Sequence, residues 1–360
     1  MRRWKAPSSA AGGRRRSRWS AAPASAGSAG CCRPRPSARS GRRWESISRT
    51  SGCAGFFGRY ATYVGSSPFL APATLMLIAH VEQSGVWLVE GGMHRIARAI
   101  EALAEAKGAS FRYEVEVAAI LTEGGRVRGV RLADGEVIEA GAVVANADAS
   151  AIGTGRFGAG VAKAVDAVPR SRRSLSAVTW AMHVETAGFP LVRHNVFFSR
   201  DYPGEFADLS VRARVPATPT VYVCAQDRGD DDAHPGGPER LLCLINAPAR
   251  GDATPMSAAE IATAAEASFG LLQRAGLTIR RDQAREVLTT PFGFERLFPA
   301  TGGALYGMAV HGWQASFSRP GARTRLPGLY LAGGSAHPGA GVPMATLSGR
   351  LAAAAVLEDQ

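Results

Sequence analysis

From Gly328 to Arg350 the chain reads Gly-Leu-Tyr-Leu-Ala-Gly-Gly-Ser-Ala-His-Pro-Gly-Ala-Gly-Val-Pro-Met-Ala-Thr-Leu-Ser-Gly-Arg. Five glycines lie between Gly333 and Gly349, and Pro343 stands where a helix would begin. Proline suits a first helical position because the N–H it lacks would be unpaired there. Such a turn aims free backbone N–H groups at one point, backed by the positive end of a helix dipole. That point suits a pyrophosphate, a ribityl chain or the electron-rich edge of a flavin. Upstream, Gly91-Gly92 opens an apolar-periodic run and permits close backbone approach.

A third glycine cluster, Gly153-Thr-Gly-Arg-Phe-Gly158, matches the spacing of a dinucleotide fingerprint. The fingerprint has physical meaning only when a strand leads directly into it and a helix opens from it. Here the strand-like run ends near Ala145 and polar residues intervene, so contact with phosphate is not expected. His337-Pro338 reads as a turn whose imidazole orients the loop through a hydrogen bond rather than as a general base. His94, Arg95 and Arg98 read as the polar face of a helix, and Glu295–Arg296 as a surface ion pair. The catalytic acid and base stay unassigned, and no spacing of the five cysteines fits a metal site. Cys224 and Cys243 lie in apolar runs and read as buried thiols.

Regular patterns must position these residues. A helix is expected after Gly92, with Met93, Ile96, Ala97, Ile100, Leu103 and Ala104 on one face. A strand over Ser110–Leu121 follows, with Val115, Val117 and Ile120 inward. Next come a strand Arg126–Leu132, an Asp134-Gly135 turn, a strand Glu136–Glu139 and an apolar strand Ala142–Ala145. The region from 174 to 291 differs, with strand-like runs Leu175–Val184, Asn195–Ser199, Thr220–Ala225 and Leu241–Ala247. An amphipathic helix, Ala258–Ala275, completes it. Pro68–Ala79, the longest apolar stretch, reads as a core helix in preference to a membrane-surface one, and is too short to span a bilayer.

The net charge of +12 is confined to one end. Residues 1–50 hold twelve Arg, one Lys and a single acid, Glu45, whereas the remaining 29 basic and 29 acidic residues balance. A nucleic-acid-binding reading would need aromatic residues interleaved with the arginines; Trp4, Trp19 and Trp44 are isolated, so no nucleic-acid partner is expected. That segment cannot bury a core. It reads as a disordered, non-homologous tail over 1–55, either a transit-type leader or coding sequence translated from a wrong frame or start.

The C-terminal motif, taken with Gly91-Gly92, resembles the bacterial carotenoid desaturases, a branch of the amine-oxidase-like flavoproteins. The resemblance rests on Leu329–Ala332, His337-Pro338-Gly339-Ala340-Gly341, Ser348-Gly349, Gly303-Ala-Leu-Tyr-Gly307, Gln314 and Arg319-Pro320, and covers about residues 56–360. The Val-Pro-Met-Ala-Thr-Leu-Ser-Gly wording is most similar to the 1-hydroxycarotenoid 3,4-desaturases of purple bacteria. Phytoene desaturases more often carry glycine where Met344 stands, and they remain the alternative.

The resemblance implies an α/β FAD/NAD(P)-binding, Rossmann-like fold with an inserted antiparallel α+β substrate domain. Its parts would be 56–90 (helical, membrane-proximal), 91–173 and 292–360 (FAD-binding) and 174–291 (substrate domain). It implies FAD near Gly91 and Gly92, adenine held by the backbone of Val117, and the pyrophosphate, ribityl chain and ring side faced by Gly333, Gly334, Gly339, Gly341, Val342, Pro343 and Met344. It further implies an acyclic carotenoid substrate, quinone or oxygen as electron acceptor, and a cytoplasmic protein peripheral on the inner photosynthetic membrane. The family opens with a strand–Gly-x-Gly-x-x-Gly–helix unit, which residues 1–55 do not supply. The Rossmann part is therefore expected to be incomplete, lacking its first βαβ, with weak FAD binding and low stability.

Overall fold

The structure is a computed structural model that describes residues 19–20, 58–229, 235–312 and 314–360. After a two-residue strand β1 (Trp19–Ser20), the chain enters a tight helical turn Arg59–Val64 and a short helix α1 (Leu77–Ser84). Helix α2 (His94–Glu105) follows, then an antiparallel meander of β2 (Val117–Glu123), β3 (Arg126–Leu132) and β4 (Val137–Glu139). The Asp134-Gly135 turn closes it with Gly135 at φ +96°, a conformation that glycine adopts without a Cβ penalty. Strand β5 (Val143–Ala145) leads into α3 (Ala149–Gly153), which Asp148 caps by accepting from the Ser150 N–H at 2.8 Å.

The largest unit is a six-stranded sheet. Its strands are β1, β6 (Ser176–Val184), β8 (His194–Phe197), β9 (Val221–Ala225), β10 (Glu239–Ala247) and β12 (Glu286–Thr289), ordered β1–β8–β9–β10–β6–β12. All neighbours are antiparallel except β1, which lies parallel to β8. A small ribbon joins β7 (Thr186–Gly188) to β11 (Leu277–Ile279), and α4 (Tyr202–Ser210) connects β8 to β9.

Helix α5 (Ala258–Arg274) packs on one face of the large sheet. Its start is a full capping box: Ser257 accepts from the Glu260 N–H while Glu260 accepts from the Ser257 N–H at 2.7 Å. Trp180, 1% exposed, meets Phe269 edge-on at 5.4 Å, and Val178, Val223, Leu241, Ile245 and Leu272 close the core around them.

Chain end and middle meet in a second, smaller core. Strand β13 (Leu329–Leu331) pairs parallel with β5, and helix α7 (Val342–Glu358) returns from it, preceded by α6 (Pro291–Leu297) earlier in the chain. Ile120, Ile152, Val161, Leu329 and Leu331 form this core. A β-strand, a glycine turn and a helix therefore do follow one another at the C-terminal motif.

Several expectations need correction. The face of α2 exists but nothing in the described residues buries it: Met93 is 52%, Ile100 54% and Leu103 62% exposed. Strand β2 starts at Val117, so Val115 is exposed and Val117 only half-buried, and Ile120 alone of the three is buried. Pro68–Ala79 divides: Ala71 and Ala73 are fully buried, whereas α1 buries no residue and exposes Leu77 and Val81. Expectations for residues 1–55 lie outside the described residues, except that Trp19–Ser20 pairs with the sheet edge rather than standing apart.

Candidate flavin-facing site

The turn between β13 and α7 is fixed from three directions. The Ala332 N–H donates to the Ala145 carbonyl at 3.1 Å, extending the β5–β13 pairing into the turn. Gly333 follows at φ +110°, and a Cβ there would stand 2.3 Å from Asn146 Oδ1. Only glycine fits. Its N–H donates to Ser348 Oγ at 2.7 Å, and that hydroxyl donates to the Ala345 carbonyl at 2.6 Å, so the helix holds the turn that precedes it.

Arg319 is the third brace. Its guanidinium is 5% exposed and donates to the carbonyls of Tyr306 (2.8 Å), Gly334 (3.0 Å) and Met308 (2.8 Å). Burial lowers its pKa, and the nearby Asp148 carboxylate opposes that shift. A side chain at Gly339 would press on the same guanidinium, with a Cβ 3.2 Å from Nε.

Helix α7 begins at Gly341 (φ +107°) with no side-chain cap, and its first helical bond runs from the Ala345 N–H to the Gly341 carbonyl at 2.8 Å. The amides of Val342 and Met344 precede that bond, and Pro343 has no N–H to satisfy. Val342 and Met344 are 52% and 41% exposed. The turn thus leaves the first amides of a seventeen-residue helix without intrahelical partners at its positive end.

Other expected residues lie elsewhere. Gly91 and Gly92 adopt φ +76° and +90° in the exposed turn before α2, where their hydrogen bonds stay local. Among the described residues no hydrogen bond or ion pair joins them to the β13–α7 turn. Val117 stands at the start of β2, paired with Leu132. The Gly153–Gly158 cluster begins at the last residue of α3 and not after a strand, and a Cβ on Gly153 would meet the Ala167 amide at 2.6 Å. They open no helix.

Two side chains behave differently from their sequence reading. The His337 ring is exposed and has no hydrogen-bond partner among the described residues; its backbone N–H donates to the Pro320 carbonyl at 2.8 Å, so the main chain orients the loop. Glu295 does not pair with Arg296. Its carboxylate accepts from the N–H groups of Ala300 (2.8 Å), Thr301 (3.0 Å) and Gly302 (2.6 Å), folding the glycine-rich segment back on α6. Cys243 is fully buried, which pushes its thiol up to about 12, and Cys224 is half-buried.

The family profile of the flavin containing amine oxidoreductases matches residues 33–357. The chain belongs to that family. Among curated relatives, the hydroxyneurosporene desaturase of Rubrivivax gelatinosus is 55% identical over 313 residues, which cover 86% of this chain and 60% of the relative. The hydroxyneurosporene desaturase of Cereibacter sphaeroides is 48% identical, with 84% and 60% covered. The chain therefore spans about 60% of the length of these relatives. Among solved structures, an oxidoreductase from Methanosarcina mazei superposes with a TM-score of 0.55 at 18% identity, covering 90% of this chain and 69% of that one. That likeness is one of fold.

The family's flavin can be tested against the residues present. A wall of backbone amides at a helix start, with glycine at Gly333, Gly339 and Gly341, fits the ring and ribityl side of a flavin, where close approach is needed and negative charge accumulates on reduction. No strand followed by Gly-x-Gly-x-x-Gly and a helix occurs among the described residues, so these supply no second cradle for the pyrophosphate.

Arg319, Asn146, Ser348 and Glu295 are the positioning residues around this family turn. Arg319-Pro320 and Ser348-Gly349 stand out as motif words, but their partners do not. The bonds of Arg319 to Tyr306, Met308 and Gly334 join backbone atoms, and a carbonyl carries no residue identity.

Proposed function

We propose that this chain forms the flavin-facing and substrate-facing parts of an FAD-dependent carotenoid desaturase that removes two hydrogens at C-3,4 of a 1-hydroxylated acyclic carotenoid. The β13–α7 turn carries this reading, because its backbone is braced by Ala145, Ser348 and Arg319 while the helix that follows starts with no side-chain cap. The two hydroxyneurosporene desaturases support the choice of substrate class. A phytoene desaturase is the alternative, and Met344 in the turn favours the first reading.

Bound FAD would supply a hydride acceptor at N5. The residues of this chain would do the rest. Val342 and Met344 would direct amides toward the negative charge of the reduced ring, at a helix end that lowers its energy. Gly333 and Gly334, held by Ser348 and Arg319, would keep the backbone close enough for that contact. Dehydrogenation adds one double bond to the polyene, with one hydrogen leaving as hydride and the other as a proton. An apolar polyene offers few polar handles, so shape and apolar lining would position the reacting carbons.

In this reading the incomplete Rossmann part comprises 91–173 and 292–360, with 174–291 inserted as the substrate domain. Quinone or oxygen would reoxidise the flavin. The exposed Leu77 and Val81 on α1 would favour a membrane surface, the source of such a substrate; among the described residues no helix is long and apolar enough to cross a membrane.

The test is to incubate the purified chain with FAD, hydroxyneurosporene and a quinone, and follow the polyene by chromatography and absorbance. At saturating FAD a product with one more conjugated double bond and two fewer hydrogens is expected, formed slowly because the described residues supply no second cradle for the pyrophosphate. Conversion of phytoene in preference to hydroxyneurosporene would select the alternative, and conversion of neither would end the reading.

A further inference from the structure

Away from the candidate flavin-facing turn, four polar side chains approach one another with buried atoms that no well-formed protein hydrogen bond satisfies. Arg59, Glu205 and Asn246 are 7%, 2% and 6% exposed. None of Arg59 Nη1, Glu205 Oε1, Asn246 Nδ2 and the buried Tyr202 hydroxyl makes a well-formed hydrogen bond, although the Asn246 amide and the Glu205 carboxyl are near enough to interact. They come from three elements: the turn Arg59–Val64, α4 (Tyr202 and Glu205) and the end of β10.

Electrostatics shows that they face one another. The Glu205 carboxyl feels both Arg59 and Asn246, and the Tyr202 hydroxyl feels both Arg59 and Glu205. The other carboxyl oxygen of Glu205 is fully engaged, accepting from the Thr220 N–H at 3.1 Å and the Thr220 hydroxyl at 2.5 Å. Glu205 is therefore held rigidly with Oε1 toward the others. Buried polar groups in folded proteins are nearly always paired, so four such atoms in one cluster mark a place that water or a polar ligand group fills.

The chemistry of the set is selective. Arg59 and Asn246 offer N–H donors, Glu205 offers an acceptor, and a tyrosine hydroxyl can do either. An alcohol needs this combination, because it donates one hydrogen and accepts two. The surroundings are aromatic: Tyr202 packs edge-on against Phe206 at 5.0 Å and Phe198 at 5.9 Å, and Phe69 lies 5.9 Å from Phe206. A polar point inside an aromatic wall suits an apolar molecule carrying one hydroxyl.

The cluster is also tied to the flavin-facing turn. Tyr306 feels the Arg59 charge, and a Cβ on Gly65 would meet the Tyr306 ring at 2.7 Å. The next residue, Gly307, lies against Ser335 of the β13–α7 turn. Arg319 Nη1 donates to both the Tyr306 and Gly334 carbonyls, spanning the two segments. In a 1-hydroxylated polyene oxidised at C-3,4 the hydroxyl carbon is separated from the reacting bond by one carbon, so its binding group must neighbour the flavin.

We propose that Arg59, Tyr202, Glu205 and Asn246 bind the terminal hydroxyl of an oxygenated polyene and so select it over the corresponding hydrocarbon. The proposal rests on the desaturase reading above and adds the residues that recognise the substrate's end group.

The test measures binding of hydroxyneurosporene and of neurosporene, the same polyene without the hydroxyl, to the full chain in detergent, from the shift of the polyene absorption band. The wild type should bind the hydroxylated form at least about tenfold more tightly, the equivalent of one buried hydrogen bond. In Tyr202→Phe and Glu205→Gln that ratio should fall to within about threefold, through loss of affinity for hydroxyneurosporene alone. Tyr202→Phe deletes a hydroxyl that makes no protein bond, so it should fold as the wild type does, as circular dichroism would verify. A wild-type preference that survives in both variants would overturn the assignment while leaving the desaturase reading intact, the cluster then holding only trapped water. Binding of neither polyene would overturn both.

Discussion

The large sheet and the flavin-facing side treat apolar surface in opposite ways. In the sheet region, Trp180, Val223, Leu241 and Ile245 of the strands and Leu272 of α5 are each at most 1% exposed and share one core. On the flavin-facing side, Val144 of β5 is 46% exposed, α2 buries no residue, and α7 buries only Ser348, Ala352 and Ala355. Leu347, Leu351 and Leu357 of α7 face outward. The first region is stabilised by its own core. The second spends its sequence on a precisely braced turn and presents an apolar surface around it. Packed core and exposed apolar surface are thus concentrated in different parts of one chain.

Four substitutions would break or sharpen that contrast. Trp180→Ala should cost the most, about 3–5 kcal/mol, because it opens a cavity beneath α5; urea unfolding followed by far-ultraviolet circular dichroism would measure it. A loss below about 1 kcal/mol would mean the sheet core is not the source of stability. Next, Arg319→Lys should cost about 2–4 kcal/mol, since one ammonium cannot reach three carbonyls in different directions. It should also weaken FAD binding, read from flavin fluorescence quenching, whereas Trp180→Ala at a temperature where it remains folded should not.

The third effect depends on pH. Burial raises the Glu205 carboxyl to about 6, with Arg59, Asn246 and Thr220 opposing the shift. Below the ordinary carboxylate value, folded and unfolded chains both hold the proton and nothing is lost. As pH rises through about 6 the unfolded chain releases the proton more readily, and stability of the order of 2 kcal/mol is lost. Glu205→Gln should flatten that part of the stability–pH curve between pH 4 and 7 (roughly the window set by the two values). An unchanged slope would show that Glu205 is not desolvated in solution. The smallest effect belongs to Leu103→Gln on α2, within about 0.5 kcal/mol, because the residue is 62% exposed. A loss as large as that of Trp180→Ala would erase the distinction between the regions.

Legibility in the sequence follows the same division. Strands β6, β9 and β10 and helix α5 lie within a residue or two of the runs read from alternation and from the 3.6-residue period, because a core that buries one face writes that period into the chain. The meander was equally clear at Asp134-Gly135. Helix α2 shows the limit of the method: its apolar face is written in the sequence and left uncovered in the structure. Periodicity reports which face could be buried, not whether a partner is there.

For the site, glycine content located the β13–α7 turn, since Gly333 and Gly341 need positive φ. The braces were not legible. Arg319 reaches back thirteen residues to Tyr306 and forward fifteen to Gly334, and Glu295 binds amides of residues whose type is irrelevant to the bond. The unpaired cluster was equally silent, because Arg59 and Asn246 are far apart in sequence and neither belongs to a recurring motif.

The shared nitrogen of Arg319 has a mechanical consequence. Tyr306 and Gly334 hang from the same atom, so neither segment can move by much more than a hydrogen bond's tolerance without dragging the other. The region that feels the Arg59 charge and the candidate flavin-facing turn are therefore yoked as a single lever. Occupancy at one end would be registered as position at the other, and the two affinities would rise and fall together by the same factor.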